Sequence, residues 1–195
     1  MDEDGHRGGT AILQEAVASF QGVVLVAPLV DQASDIIASA LERGSKVIFC
    51  GNGGSAADAQ HLAAEFLGRY MRERAPLPSI ALTSNSSAVT AIGNDYGFDN
   101  VFSRQLRGLA RGGDVLVGIS TSGNSRNVVE AFVAAKSLGV SVIALTGAAE
   151  SAMSRLANVA IRVPSQSTPR IQEMHIAIGH TLCEIVETRM AGQTS

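Results

Sequence analysis

Residues 46–55 read KVIFCGNGGS, and this stretch decides the fold of the chain. Its first half, residues 46–50, is short and rich in β-branched and aromatic residues, which predicts a buried strand. Residues 56–68 carry apolar side chains at a helical period with no helix-breaking residue. The glycine-rich segment 51–55 is therefore a turn from strand to helix. Its free backbone N–H groups and the positive end of the helix dipole favour a phosphate or another anion.

Two reactive side chains follow on the same helix. His61 and Glu65 are four residues apart, so at roughly 100° per residue they project about 40° apart from one helix face. An anion-binding turn next to a histidine and a carboxylate predicts chemistry on a phosphorylated small molecule.

Composition and charge limit the class of protein. Of the 195 residues, 46% are apolar and 17% are charged, as expected for one globular domain with a substantial core. The net charge of −3 provides no long basic surface to neutralise nucleic-acid phosphates, so we predict no nucleic-acid partner. Arg69, Arg72 and Arg74 form one small basic cluster, which is either a solvated loop or part of the site.

The sequence predicts neither a membrane span nor a secretion signal. The most apolar run, residues 23–30, is too short to span a bilayer and contains Pro28. The start, MDEDGHRGG, is polar and acidic, so we expect residues 1–9 to be a flexible tail before one domain at 10–195. Cys50 and Cys183 are expected to be buried thiols, and a cytoplasmic location fits them best.

Strand-like and helix-like segments alternate along most of the chain. Two helices are predicted first, at 10–24 and 28–43. A final helix is expected to have Thr168 as N-cap and Pro169 at its first position. The strands, apolar almost throughout and therefore covered on both faces, are predicted at 46–50, 79–83, 114–120, 141–146 and 159–163. The predicted fold is α/β, a three-layer doubly wound sandwich around a five-stranded parallel sheet, with an N-terminal helical extension.

Polar loops follow three of these strands, at the sheet edge where doubly wound folds bind ligands. They are residues 51–55, residues 84–87 with Gly93-Asn94-Asp95 after a short helix, and residues 120–125. Any one of them could be an ordinary cap or turn. Three at one edge predict a sugar-phosphate pocket.

Four motifs in this order resemble those of the SIS (sugar isomerase) domain family, and in particular its phosphoheptose isomerase branch. They are GNGGS with the following HxxxE, GND at 93–95, ISTSGNS at 119–125 and RIQExHxxxGH at 170–180. The resemblance runs from about Ala11 to Met190. It implies an isomerase that interconverts sedoheptulose 7-phosphate and D-glycero-D-manno-heptose 7-phosphate through an enediol. That reaction is the first step toward ADP- or GDP-heptose for lipopolysaccharide or capsule.

The resemblance also implies the roles of particular residues. Glu65 would be the base and His180 the acid. A zinc ion, one per subunit, would be held by His61, Glu65, Gln172 and His180. Family members are homotetramers with active sites shared between subunits. The implied substrate contacts are Asn52, Gly53, Gly54, Ser55, Glu65, Arg69, Asn94, Asp95, Ser120, Thr121, Ser122, Ser125 and Gln172.

Physical chemistry leaves parts of this site open. His61 and Glu65, four residues apart on one helix, make a sound pair of zinc ligands. Gln172 and His180 are separated by about 12 Å along a helix axis, so both reach one ion only if they converge from two turns. Coordination would lower the basicity of Glu65, so its roles as base and as ligand compete.

Two other functions stay open at this point. One is a non-catalytic SIS adaptor, like the relatives that bind the replication initiator, which needs no acid, base or metal. The other is an SIS isomerase for a different sugar phosphate. The presence of His61, Glu65, Gln172 and His180 favours the enzyme over the adaptor.

Overall fold

In the computed structural model, which describes residues 8–192, five parallel strands form one sheet between two layers of helices. The strands are β1 Val47–Gly51, β2 Ser79–Ala81, β3 Val115–Ser120, β4 Ser141–Thr146 and β5 Val159–Arg162. Their order across the sheet is β2-β1-β3-β4-β5, and every neighbouring pair is parallel. The predicted doubly wound α/β sandwich and all five predicted strands are confirmed.

Eight α-helices surround the sheet in the described part of the chain. They are α1 Gly9–Val23, α2 Ala27–Glu42, α3 Gly54–Leu67, α4 Ser86–Tyr96, α5 Val101–Leu109, α6 Arg126–Ser137, α7 Ala152–Leu156 and α8 Thr168–Ala191. The N-cap of α8 is Ser167 and not the predicted Thr168, because Thr168 is already helical, and Pro169 is therefore the second residue of the helix and not the first. The sequence predicts Asn94 and Asp95 after a short helix, but they lie in the last turn of α4.

Side chains of the strands alternate between two apolar layers. Along β1, Val47 and Phe49 pack with α2, α3 and α8, whereas Ile48 and Cys50 pack with α5 and α6. All five residues of β1 are buried, as expected for a central strand covered on both faces. The first layer is the important one for the site because it holds α3 and α8 side by side.

The N-terminal helices differ in what they bury. The helical segment Gly9–Glu42 has the length and composition to cross a membrane, with a mean hydropathy of 1.5 in its most apolar part. However, α2 buries Val30, Ile37 and Leu41 in the core, and α1 buries none of its residues. At 15 residues, α1 is about 22 Å long, shorter than the roughly 30 Å of a bilayer core. The predicted absence of a membrane partner stays a prediction.

Two other predictions concern single residues and the chain start. Cys50 and Cys183 are buried free thiols, as expected, and burial raises the pKa of each to about 12. Of the predicted tail, residues 1–7 lie outside the described part of the chain, and Gly9 is already the first residue of α1.

Candidate active site

The two central strands form the switch point of the sheet. β1 and β3 are neighbours, with Gly51 paired to Ile119, and the chain leaves them toward β2 on one side and β4 on the other. In open α/β sheets the crevice beyond the strands at such a point is where ligands bind. The loops at 51–55 and 120–125 both lie at this crevice.

The first loop is shaped by glycine. A side chain at Gly51 would lie 2.5 Å from the Ser55 carbonyl oxygen, and Gly53 has a φ of 55°. Gly53 is the N-cap of α3 and offers no side chain, so no side-chain cap is present on the first N–H groups of the helix. The first N–H groups of α3 therefore stay free to donate to an anion, as the sequence predicts.

Asn52 is tied to a residue that sequence reasoning missed. Its amide donates to Asn127 Oδ1 at 2.9 Å, and the Asn127 amide donates back to Asn52 Oδ1 at 2.8 Å. Asn127 lies in the first turn of α6 and is 3% exposed. This reciprocal amide pair joins the first loop to the loop after β3. The second amide hydrogen of Asn52 and one lone pair of its Oδ1 thus stay available for substrate, the contact that the family resemblance implies for this residue.

The loop after β3 gathers the predicted hydroxyls. Ser120 Oγ lies 2.9 Å from Ser125 Oγ and 3.4 Å from Ser122 Oγ. Ser125 is the N-cap of α6, but its side chain does not cap the helix. Hydroxyls and backbone N–H groups therefore face the same crevice, which suits a phosphate. Thr121 lines a neighbouring cavity of about 260 Å³, together with Ser122, Gly147, Ala148, Ala149, Ser165, Gln166 and Ile171.

The predicted loop after β2 makes hydrogen bonds within its own segment. The Asn85 side chain caps α4 by accepting from Ala88 N, and Ser84 Oγ donates to the Ala81 carbonyl. Asn94 and Asp95 are exposed and hydrogen-bond each other at 2.8 Å. Within residues 8–192, no hydrogen bond links Asn94 or Asp95 to the other two loops. The three loops lie at the same edge of the parallel sheet, and a sugar-phosphate pocket formed by all three stays a prediction.

Helices α3 and α8 run side by side and bring the two histidines together. Gly179 is packed so closely on Leu62 that a side chain there would meet Leu62 at 2.6 Å. This close approach puts His61 Nε2 2.9 Å from His180 Nε2, so that one ring donates to the other. We call the contact between these two helices, from Gly54 and Gln172 to His61 and His180, the α3–α8 seam.

Glu65 completes the group, whereas Gln172 and Arg69 lie apart from it. Glu65 Oε1 is 3.5 Å from His61 Nε2. The Gln172 amide lies against Gly54, where a side chain would meet its Nε2 at 2.6 Å, so Gln172 faces the anion-binding turn at the start of α3. Arg69 is exposed and makes a 3.8 Å ion pair with Glu73.

Comparison with known proteins identifies the family. A family model described as the SIS domain matches residues 9–147. This chain belongs to the SIS domain family. The matched range contains both anion-binding loops and α3, and it ends before α8.

Relatives with high sequence identity over most of this chain carry the name phosphoheptose isomerase. A phosphoheptose isomerase of Rhodospirillum rubrum is 57% identical over 177 residues, which cover 91% of this chain and 94% of the relative. One from Aliarcobacter butzleri is 51% identical over 187 residues, with 93% and 98% covered. The solved phosphoheptose isomerase of Neisseria gonorrhoeae superimposes with a TM-score of 0.87 at 45% identity, covering 92% of this chain and 96% of that chain.

The SIS resemblance implies zinc, and the donors can be tested against it. Two imidazole nitrogens on one tetrahedral zinc lie roughly 3.3 Å apart, given bonds of about 2.0–2.1 Å. The His61–His180 separation of 2.9 Å is close to that, and Glu65 adds an oxygen 3.5 Å from His61. Across residues 8–192, no three His, Cys, Asp or Glu side chains yet converge on one point. The donor types and the pairwise distances suit zinc, whereas the three side chains do not share one point in this structure.

Proposed function

We propose that this SIS family member is an aldose–ketose isomerase that interconverts sedoheptulose 7-phosphate and D-glycero-D-manno-heptose 7-phosphate. Relatives more than 50% identical over about nine-tenths of the chain carry the name phosphoheptose isomerase. The observation that supports it best is the meeting of His61, Glu65 and His180 at the α3–α8 seam. An adaptor would need the fold and the pocket, but it would not need this group.

The residues at the α3–α8 seam would carry out the proton transfer. Isomerisation removes a proton next to the carbonyl and returns it to the adjacent carbon, which needs a base and an acid near C1 and C2. In this proposal the Glu65 carboxylate takes the proton from one carbon and returns it to the adjacent carbon. The His180 ring donates a proton to the carbonyl oxygen and takes one back from the neighbouring hydroxyl, so the protons balance over the reaction. His61 lies between these two residues, with its Nε2 3.5 Å from Glu65 Oε1 and 2.9 Å from His180 Nε2.

The anion-binding loops would hold the other end of the substrate. The hydroxyls of Ser120, Ser122 and Ser125 and the free N–H groups of α6 would bind the 7-phosphate, with Gly53, Gly54 and Ser55 as the second wall. Binding energy from this remote group then positions the reacting carbons over Glu65. Gln172 would contact the sugar, because its amide faces the turn at Gly54.

Zinc is part of the proposal, with His61, Glu65 and His180 as ligands. Gln172, whose amide faces Gly54 in this structure, would have to turn toward them to be the fourth ligand. When bound, the ion would polarise the sugar carbonyl and stabilise the enediolate charge. Elemental analysis of protein purified without chelator should find about one zinc per chain, and His61→Ala should lose most of it. Fully active protein without metal would leave Glu65 and His180 to act unaided.

We also propose a homotetramer with shared active sites. Ile12, Leu13, Val17 and Phe20 leave an apolar face of α1 exposed, a surface that fits burial between subunits. Asn94 and Asp95, which are exposed in one chain, would then face the site of a neighbouring subunit. Light scattering at micromolar concentration tests this proposal, and a monomeric mass contradicts it.

Turnover of sedoheptulose 7-phosphate by the purified protein, with and without added zinc, is the deciding experiment. Exchange of the aldose C2 proton with deuterated water would support an enediol intermediate. A parallel panel of five- and six-carbon sugar phosphates tests whether another substrate is preferred. No turnover of any of them would favour the adaptor. We also propose a cytoplasmic location, and either lipopolysaccharide or capsule synthesis as the pathway that uses the product.

A further inference from the structure

The segment after α3 folds back onto α8 around one buried carboxylate. Glu187 is 2% exposed, and its two oxygens accept three successive backbone N–H groups. The donors are Tyr70, Met71 and Arg72, at 2.9, 2.7 and 2.8 Å. Burial by itself raises the pKa of Glu187, but these three donors and Arg74 outweigh it and lower the pKa, so the carboxylate is charged.

Arg74 ties the same segment to the end of α3. It pairs with Glu187 at 3.2 Å, and the side chains of both residues are almost completely buried. Its guanidinium donates to the carbonyls of Phe66, Gly68 and Ala75, at 2.9, 3.1 and 3.0 Å. A fourth hydrogen bond, at 2.8 Å, goes to the backbone carbonyl of Glu65. Carbonyls at a helix C-terminus lack partners in the helix, and a cation there is favourable.

The segment anchored by Arg74 and Glu187 places the Tyr70 ring at the α3–α8 seam. The Tyr70 ring lies 5.6 Å from the His180 ring, centroid to centroid, at an angle of 32°. The backbone N–H of Tyr70 is one of the three held by Glu187. The pair therefore contacts one proposed proton-transfer residue through its main chain and the other through Tyr70.

We infer that Arg74 and Glu187 are positioning residues for proton transfer, because they set the Glu65 main chain and hold the Tyr70 ring against His180. This inference rests on the proposed isomerase function. Of the basic cluster 69, 72 and 74, Arg74 is the member with a buried side chain, and its charge is directed at Glu187. A small displacement of Glu65 or His180 is expected to lower kcat, because proton transfer depends steeply on geometry.

Three variants test the inference in the intact protein. Glu187→Gln keeps the shape and removes the charge. Tyr70→Ala removes the ring and leaves the segment anchored, and Tyr70→Phe keeps the ring. Glu187→Gln and Tyr70→Ala should lower kcat by about tenfold or more with KM within about threefold, and Tyr70→Phe should restore near-normal turnover. If Glu187→Gln fails to fold, the kcat of Tyr70→Ala still tests the inference.

The matched control is an ion pair near the same end of α8 that faces α2. Arg189 contacts Glu42 at 2.7 and 3.0 Å, so Glu42→Gln removes an ion pair on the other side of the helix, one that is more exposed than Arg74–Glu187. This variant should leave kcat and KM unchanged. An equal loss of kcat in Glu42→Gln would mean that general stability accounts for the effect, and the inference would be overturned.

A readout that needs no activity separates this inference from the proposed function. In substrate-free protein labelled at histidine ¹³Cε1, the His180 signal, assigned with His180→Gln, should shift in Tyr70→Ala and in Glu187→Gln. It should not shift in Glu42→Gln. If the wild-type protein isomerises no sugar phosphate but the signal shifts, the positioning stands and the function fails. An unchanged His180 signal in both variants overturns the positioning.

Discussion

The two parts of the candidate site are built in different ways. In the loop after β3, the contacting hydroxyls of Ser120 and Ser125 are five residues apart. At the α3–α8 seam, His61 and His180 are 119 residues apart, and Tyr70 and Glu187 are separated by 117. The loops are local structures whose shape follows from glycine and hydroxyl residues. The seam exists only because the sheet packs two helices together. We therefore expect substitutions in the loops to weaken substrate binding and substitutions at the seam to slow the reaction.

The largest effect is expected from Glu65→Gln. This change keeps the shape of the side chain and part of its hydrogen bonding, but it removes the proposed base. We expect kcat for sedoheptulose 7-phosphate to fall by about 100-fold or more, with a much smaller change in KM.

Glu130→Gln serves as its control, because Glu130 is exposed on α6 and belongs to neither part of the site. Steady-state kinetics of both variants give the comparison. Near wild-type turnover in Glu65→Gln would remove proton transfer from the seam.

The converse effect is expected in the loop after β3. Replacing Ser120 and Ser125 together by alanine removes two hydroxyls aimed at the phosphate. The two hydroxyls hydrogen-bond each other, so only one of their two hydrogens is left to donate to the phosphate. One hydrogen bond to a charged group contributes about 1.5–3 kcal/mol, so we expect KM to rise by roughly tenfold to 150-fold with a smaller change in kcat.

Thermal melting and inorganic phosphate titration show whether the double variant is folded and whether it still binds the anion. Unchanged affinity for the phosphorylated sugar would exclude this loop from the site. A fall in kcat alone would contradict the division between binding loops and reactive seam.

A smaller effect is expected at Asn127, where the two loops meet. Asn127→Ala leaves the Asn52 amide without its partner, which costs about 1–3 kcal/mol for an unsatisfied polar group. We expect a lower melting temperature and a KM increase of several-fold, because Asn52 is no longer held at the crevice.

Sugar phosphate should raise the melting temperature of Asn127→Ala by less than it raises the melting temperature of the wild type at the same concentration. An unchanged KM together with a lower melting temperature would make the amide pair purely structural.

The same contrast explains what the sequence could predict. Residues 46–55 carry a strand signal, glycines and a helix signal within ten positions, so both the fold and the first loop can be inferred from them. Asn127, Arg74 and Glu187 carry no such pattern. Each is a single polar residue in a helix or loop, and its role depends on a partner more than 70 residues away.

The smallest effect on turnover is expected from a buried group outside both parts of the site. His175 is completely buried, and neither of its ring nitrogens has a hydrogen-bond partner in the described structure. Burial lowers the pKa of His175 to about 4, an effect that the nearby Thr146 carbonyl only partly offsets. As the pH falls below the ordinary value of 6.5, the unfolded chain binds a proton at His175 and the folded protein does not. The free energy of unfolding should therefore decrease from about pH 6.5 toward pH 4.

His175→Leu removes this titration and should flatten that decrease, while kcat and KM at pH 7.5 stay within about twofold of wild type. Urea unfolding at fixed protein concentration, repeated between pH 5 and 7.5, measures the effect as the difference between the two proteins. This window also isolates His175 from Glu187. The pKa of Glu187 is lowered in the fold, so its contribution to stability is complete above its ordinary value of 4.5 and is lost only below it. Parallel pH profiles for wild type and His175→Leu would mean that the ring is protonated, or hydrated, inside the folded protein.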